Sequence, residues 1–225
     1  MINYFDRSIM DNAGHQMLNT GEIIPIGNKE PIEDYNQPFD NLGACAGAAL
    51  YDADMLRKIG ILDEYFSTGY EDAEIGVRAN ILGYKTSYAP KAIIYHKVSQ
   101  SVAKIWNYEY VLQIQMNIYY SFFKLMPTAI ILLNLPFLIF KFFALLVINL
   151  VFWRPKFLKI LFHSYYRIFT IEWGRIRQER AEFFKIQQPL NSWTIQRRLR
   201  FFLFFDIWRF WKYILMGKET VFEKW

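Results

Sequence analysis

The apolar positions of this chain change their period along its length, and the changes divide it. Between residues 71 and 83, Ile75, Ala79 and Leu82 recur at helical spacing, which predicts a short helix with that face packed inward. Gly83 stands where such a helix ends in a left-handed cap. Residues 84–88 then alternate weakly, as a strand does, until Ala89-Pro90 stops them. Upstream, the small residues Gly43 to Ala49 lead into Leu50-Tyr51 and read as a strand. With no bulky side chain in the way, another backbone or a ligand can come close to it. Tight packing and a substrate wall are both compatible with that pattern. Asp52 caps a second helix through Met55, Leu56 and Ile59, closed by Gly60, and residues 61–66 connect it to the first. Residues 92–95 form another short strand just before His96. Residues 1–40, broken by Gly14, Gly21, Pro25, Gly27, Pro31 and Pro38, read as a largely irregular surface segment over a site.

Past residue 101 the period becomes helical throughout. A helix is expected over 101–124, with Trp106, Tyr110, Ile114, Ile118 and Phe122 about four apart. Residues 127–153 carry a single charge, Lys141, and exceed the roughly 20 apolar residues that span a bilayer. Pro136, Asn134 and Asn149 interrupt the run along with Lys141, so two pictures stand. One is a tilted transmembrane helix; the other is a kinked hairpin or in-plane helix sunk into one leaflet. Residues 156–187 predict an amphipathic helix. Pro189 breaks it, and Asn191 or Ser192 can cap a last helix. Residues 193–216, where Arg and Lys alternate with Trp, Phe and Leu, read either as an in-plane membrane helix or as a helix packed on its predecessors.

Composition sharpens this. Hydrophobic content of 53% and aromatic content of 19% point to membrane contact. The net charge of +5 comes mostly from residues after Lys97, a balance suited to an anionic membrane surface. Arg154, Lys156, Lys159, Arg167, Arg175 and Arg177 follow the apolar run, and Lys104 and Lys124 precede it, so both flanks are expected in the cytoplasm. No nucleic-acid motif is present, and the Phe and Trp run is too apolar for a solvated binding face, so nucleic acid is not an expected partner. The single cysteine, Cys45, excludes an intrachain disulfide and reads as a small packed side chain. Met1 to Met10 is polar, with Asp6 and Arg7, and does not read as a secretory signal.

The candidate chemistry lies at Glu71 and Asp72, adjacent carboxylates at the start of the first predicted helix. Two readings compete. Thr68 and Glu71 have capping-box spacing, and the helix dipole favours acids in the first turn. Alternatively, a carboxylate on a rigid element at the mouth of a loop is how a general base is presented. His96, just past a strand, is either structural or a contact for a metal or phosphate.

Several segments in order resemble the C-terminal half of the inverting family-2 glycosyltransferases, in particular the rhamnosyltransferase-like branch. They are Met10-Asp-Asn-Ala-Gly14, Gly43-Ala-Cys-Ala-Gly-Ala-Ala-Leu-Tyr51, Ile59-Gly-Ile-Leu-Asp-Glu-Tyr-Phe66 and Tyr70-Glu-Asp72 with Arg78. Gly83-Tyr84, Tyr88-Ala-Pro90 and Ile94-Tyr-His96 with Ser99 and Ser101 complete the set. The resemblance covers about residues 9–101. It implies an α/β fold, a GT-A half over residues 1–101, followed by an all-α membrane-associated region over 102–225. It implies sugar transfer with inversion from a nucleotide-sugar donor to a polysaccharide or lipid-linked glycan acceptor, at the cytoplasmic face of the membrane. Asp72 would be the general base, Glu71 would orient the site, and Gly47, Ala48 and Tyr70 would line the acceptor. Arg78 would pair with a carboxylate inside the fold. His96 would help hold Mg or Mn, or the diphosphate. The family's main metal motif, aspartate-x-aspartate, has no counterpart before residue 41, so the nucleotide-binding half is expected on a separate stretch of protein. Glu74 stands where the family often has aspartate, and no Gln-x-x-Arg-Trp motif follows, which implies single addition rather than processive synthesis. A non-catalytic membrane scaffold derived from such an enzyme is the alternative.

Overall fold

The computed structural model describes residues 1–67, 69–97 and 107–203. Thr68, Trp106, Ser99, Ser101, Lys104 and the part of the last expected helix beyond 203 lie outside the described residues. The architecture is mixed α and β, with helices predominating.

The strands are short and pair by twos. β1 (Ile2–Asn3) runs parallel to β6 (Tyr95–His96). β2 (His15–Met17) and β3 (Ile23–Pro25) form an antiparallel hairpin, and β4 (Asp40–Asn41) pairs antiparallel with β5 (Thr86–Ser87). The small-residue stretch is not a strand. Cys45 leads into a single 3₁₀ turn, Ala46–Ala48, closed by the Ala48 N–H donating to Cys45 O at 3.0 Å. The chain turns there because Gly43 lies on the backbone of Gly76: a Cβ on either glycine would sit 2.8 Å from the other's Cα. Tight packing therefore holds at Gly43, while Ala46, Gly47 and Ala48 are exposed.

α1 (Ala53–Ile59) starts at Asp52, whose carboxylate accepts from Met55 N–H at 2.8 Å, and stops at Gly60. α2 (Glu71–Ile81) is the hub of this half. One inward face was expected, but every residue from Ala73 to Ile81 is buried. Ile75 and Ala79 pack against Met55 and Ile59 of α1, while Val77 and Ile81 enter the main core with the later helices. Its polar side chains are consequently buried too. Arg78 donates to Glu74 Oε2 at 2.8 Å, to Ile59 O at 2.5 Å and to Ile61 O at 2.6 Å, so it holds the end of α1.

α3 (Tyr108–Leu125) begins at Asn107, whose side chain accepts from Tyr110 N–H. It is buried from Met116 through Leu125 and carries Lys124, which pairs with Asp63 and lies 3.5 Å from Glu74 and 3.4 Å from Glu179. α5 (Pro155–Tyr166), a π-helical turn (Arg167–Glu172) and α6 (Trp173–Ile186) run almost continuously over the span read as one amphipathic helix and pack on α3. α7 (Ser192–Arg198) is capped by Asn191, which accepts from Thr194 N–H at 2.9 Å. The helical span expected over 193–216 is interrupted after Arg198, and a helix begins again at Phe202, whose continuation lies outside the described residues. Arg200 N–H donates to Met17 O and Asn19 N–H to Arg200 O, so the chain turns extended beside β2. Phe202 is buried with Leu18 and Ile24 instead of facing lipid.

Between these lies α4 (Thr128–Val151), whose polarity is inverted. Its buried positions are Ile130, Asn134, Leu138, Lys141 and Asn149; its exposed ones include Leu132, Leu135, Ile139, Phe140, Phe143 and Val147. The inward polar groups are all engaged. Asn134 accepts from Asn19 Nδ2 at 3.0 Å and donates to Gln196 Oε1 at 2.8 Å; Lys141 pairs with Glu22; Asn149 donates to Leu145 O at 2.8 Å. Asn19 and Glu22 sit on the tip of the β2–β3 hairpin, which thus anchors α4 to the first half of the chain.

Glu22→Gln alone breaks that mostly buried pair and is expected to cost about 3 kcal/mol of unfolding free energy in detergent. Combining it with Lys141→Met is expected to recover most of the loss, because no charge is then left unpaired and the amide placed at position 22 keeps the Thr20 hydroxyl as a partner; a single variant as stable as wild type would show that the pair does not anchor α4.

Candidate functional site

The first turn of α2 is fixed from outside. Gly69 and Tyr70 precede it with φ of 66° and 83°, and a Cβ on Gly69 would lie 2.7 Å from Ile114 Cδ1. Asn117 Nδ2 donates to Gly69 O at 2.9 Å, and the Tyr70 hydroxyl donates to Gly21 O at 2.6 Å. Both anchors come from distant elements, α3 and the β2–β3 hairpin, so the carboxylates that follow have little freedom. Burial pushes the Tyr70 phenol well above its usual range. With its hydroxyl committed to Gly21, Tyr70 positions the turn in this structure.

Asp72 does not cap its own helix. Tyr70 at the N-cap makes no side-chain capping bond, and Asp72 Oδ2 accepts from Ala46 N–H at 2.9 Å, across to the 3₁₀ turn. The carboxylate is half-buried, and Ala46, Gly47 and Ala48 beside it are exposed. Gly47 and Ala48, expected along the acceptor, thus form the open rim next to Asp72. Glu71 is also half-buried.

Two residues that the sequence did not mark complete the neighbourhood. His15 on β2 and Cys45 join Asp72 so that one ligand atom of each lies within 4.8 Å of the others. Burial pushes the His15 imidazole down, with Asp72 opposing it. Burial pushes the Cys45 thiol up, and the Asp72 charge adds to this. Tyr51 stands close by: burial raises its phenol first, then Asp72, Cys45 and Glu71. No sequence spacing links His15 to Cys45 or Asp72. Only the packing of β2 beneath the Gly43–Gly76 crossing brings them together, through His15 N–H donating to Gly43 O at 2.7 Å.

Three buried polar atoms around Asp72 lack a hydrogen-bond partner: His15 Nδ1, Tyr51 Oη and Glu71 Oε2. Folded proteins leave few such atoms unpaired, because each costs about 1–3 kcal/mol. Their convergence on one half-exposed carboxylate marks a place that a polar ligand would complete.

His96 lies elsewhere. Its Nδ1 is 2.7 Å from Asp11 Oδ2, and its side chain is partly exposed beside β1. Among the described residues no third histidine, cysteine or carboxylate joins this pair. Mg and Mn are commonly held by one or two carboxylates together with water and phosphate, so His96 and Asp11 would contribute to such a site only with ligands from outside the described residues. Arg78 does pair with a carboxylate inside the fold, Glu74. A separate cleft of about 540 Å³, lined by His15, Asn41, Asn80, Lys85, Arg198 and Arg200 among others, does not include Tyr70, Glu71, Asp72, Gly47 or Ala48. No protein-family model, curated protein or solved structure matches this chain.

Gly76→Ala forces the 3₁₀-turn segment off α2, since the atom it meets is backbone and cannot swing aside. A loss of about 1–3 kcal/mol is expected, together with faster alkylation of Cys45; an unchanged melting temperature and alkylation rate would mean that the crossing does not hold the site.

Proposed function

We propose that this chain is the acceptor-side half of a membrane-associated inverting glycosyltransferase, with residues 1–101 as part of a GT-A fold and Asp72 as general base. The observation that carries the reading is the half-exposed Asp72 carboxylate, turned away from its own helix and surrounded by unpartnered Glu71, Tyr51 and His15 atoms. A sugar hydroxyl loses its proton only as its oxygen bonds to the anomeric carbon, so the base needs position more than strength. Asp72 takes that proton. The Ala46 N–H keeps the carboxylate oriented, and the exposed Gly47 and Ala48 leave room for the acceptor. Glu71 and Tyr51 supply an acceptor and a donor for the neighbouring hydroxyls of the sugar. The leaving nucleoside diphosphate departs from the opposite face, toward donor-binding residues expected on another stretch of protein. Mg or Mn would neutralise the leaving diphosphate, and His96 and Asp11 are the described residues that would contribute ligands to it.

The outer face of α4 supports membrane association. Its mean hydropathy is 2.5 over an 18-residue window, and little of it is buried. An apolar cleft of about 460 Å³, lined by Phe142, Phe143, Phe162, Tyr166 and Phe169 among others, opens on that side. The β2–β3 hairpin holds Asn134 and Lys141, about 10 Å apart along α4 and close to its middle. A helix crossing the bilayer would carry that hairpin into the hydrocarbon, so the in-plane picture is the better one. Arg154, Lys156 and Lys159 then meet anionic headgroups of the cytoplasmic leaflet.

In native membranes supplied with nucleotide sugar, Asp72→Asn is expected to lower sugar transfer by about 10²–10⁴-fold with donor binding unchanged. Equal transfer would leave Asp72 only the task of holding the 3₁₀ turn. On anionic vesicles, Phe140→Glu with Phe143→Glu is expected to release the protein into the supernatant while its fold, read by circular dichroism, persists. Retention of that variant on vesicles would put lipid contact elsewhere.

A further inference from the structure

We propose that the cleft bounded by the β4–β5 pair and the end of α7 binds a phosphorylated sugar. It encloses about 540 Å³, within the roughly 300–1,000 Å³ of small-ligand sites. Three cations line it, from separate parts of the chain: Lys85 just before β5, Arg198 at the end of α7 and Arg200 two residues on. The fold sets each of them there. Arg198 Nη1 donates to Asn80 O and to Asn80 Oδ1, both at 2.8 Å, which ties it to α2. The backbone of Arg200 is clamped on the β2–β3 hairpin: its N–H donates to Met17 O and its carbonyl accepts from Asn19 N–H, both at 2.8 Å. Lys85 adjoins Thr86, which is in register with Asn41. None of the three cations forms an ion pair among the described residues. Three like charges gathered in one cleft without a counter-ion favour a ligand of more than one negative charge. A phosphate dianion matches them better than a single carboxylate, and arginine forks suit its oxygens.

The rest of the lining selects a sugar rather than phosphate alone. Asp34 and Asp40 also line the cleft, are exposed, and form no ion pair among the described residues. Asn41 adds an amide whose buried Oδ1 has no hydrogen-bond partner. Carboxylate and amide oxygens accept hydrogen bonds, so they call for hydroxyl donors, which a sugar carries and a phosphate dianion lacks. Tyr35 and Phe39 supply aromatic surface, and both rings are held in place. Phe39 lies 5.1 Å from the Tyr88 ring and 6.3 Å from that of Tyr35, whose hydroxyl donates to Glu30. The negative faces of such rings attract the C–H groups of a sugar. His15 lines the same cleft, and one of its ring nitrogens lies within 4.8 Å of an Asp72 oxygen. On the glycosyl-transfer reading, a phosphate-bearing sugar of the acceptor would therefore rest here, one side chain from the base. That placement rests on the transfer reading; binding in the cleft does not.

Isothermal titration of the purified full chain, in a neutral detergent, with glucose-1-phosphate reads the site without any transfer reaction. Wild type is expected to bind glucose-1-phosphate at least about tenfold more tightly than glucose or inorganic phosphate. Lys85→Gln and Arg200→Gln are each expected to weaken that binding by at least about tenfold. Asp34→Asn with Asp40→Asn is expected to weaken glucose-1-phosphate binding while inorganic phosphate binds as well as before or better, because two repelling charges are gone; a misfolded variant would lose both. All four side chains are exposed, and an unchanged circular dichroism spectrum verifies each fold. Asp72→Asn, which the transfer reading expects to lose turnover, is expected to bind glucose-1-phosphate as wild type does, so the two readings fail separately. No binding by wild type, equal affinity for inorganic phosphate, or undiminished binding in folded Lys85→Gln and Arg200→Gln would each overturn the site. Loss in those variants of binding to phosphatidylglycerol vesicles alone would assign the cations to a lipid surface and overturn it too.

Discussion

The Glu74 carboxylate, enclosed between Arg78 and Lys124, is the interaction on which the rest of the structure depends. Glu74 is fully buried, 2.8 Å from Arg78 Nη2 and 3.5 Å from Lys124 Nζ. Burial pushes its carboxyl up, and the two cations pull it back. Burial alone would lower the Lys124 ammonium, but Glu74, Asp63 and Glu179 outweigh it and hold it above its usual value. Its members come from four parts of the chain: Glu74 and Arg78 from α2, Asp63 from the loop before it, Lys124 from α3 and Glu179 from α6. A buried charge tolerates little displacement, since losing a partner leaves it unpaired at several kcal/mol. The network therefore fixes where α2 sits between the strand-bearing segment and the helices.

Everything at the candidate site inherits that placement. With α2 fixed, Gly76 can receive Gly43 at backbone contact, and the crossing delivers Ala46 N–H to Asp72 and Cys45 to its side. The same crossing carries β2 beneath the site, so His15 arrives from 57 residues earlier in the chain than Asp72. The unpaired atoms of His15, Tyr51 and Glu71 are the cost of bringing polar groups together with room left between them, and a polar ligand such as a sugar would offset it.

The helical part answers a different constraint. α4 turns its amides and its lysine inward and its leucines and phenylalanines outward, the reverse of a water-soluble helix. That arrangement is stable in water only if something apolar covers the outer face. The β2–β3 hairpin supplies the polar partners on the inner face, so one short turn, residues 18–22, serves both the packing of α3 and the neutralisation of α4.

The local punctuation was legible in the residues alone. Asp52 and Gly60 bound α1, Glu71 opens α2, Asn191 caps α7, and the apolar run over 127–153 is a single helix, because capping and hydropathy act over a few neighbours. Gly43 and Ala49 misled for the same reason: small residues permit a strand, but the contact that bends them comes from Gly76, 33 residues away. The break after Arg198 was not foreseen because the alternating pattern carried no sign of the backbone of Met17 and Asn19 that captures Arg200. The sequence by itself determined most of the helices, several of their caps, the apolar run interrupted by Lys141, and the carboxylate pair. Only the tertiary structure decided what those groups meet: Glu22 for Lys141, Ala46 for Asp72, and His15 with Cys45 beside it. Such partners are chosen by long-range packing around a buried charge, and residue spacing along a chain carries no record of that choice.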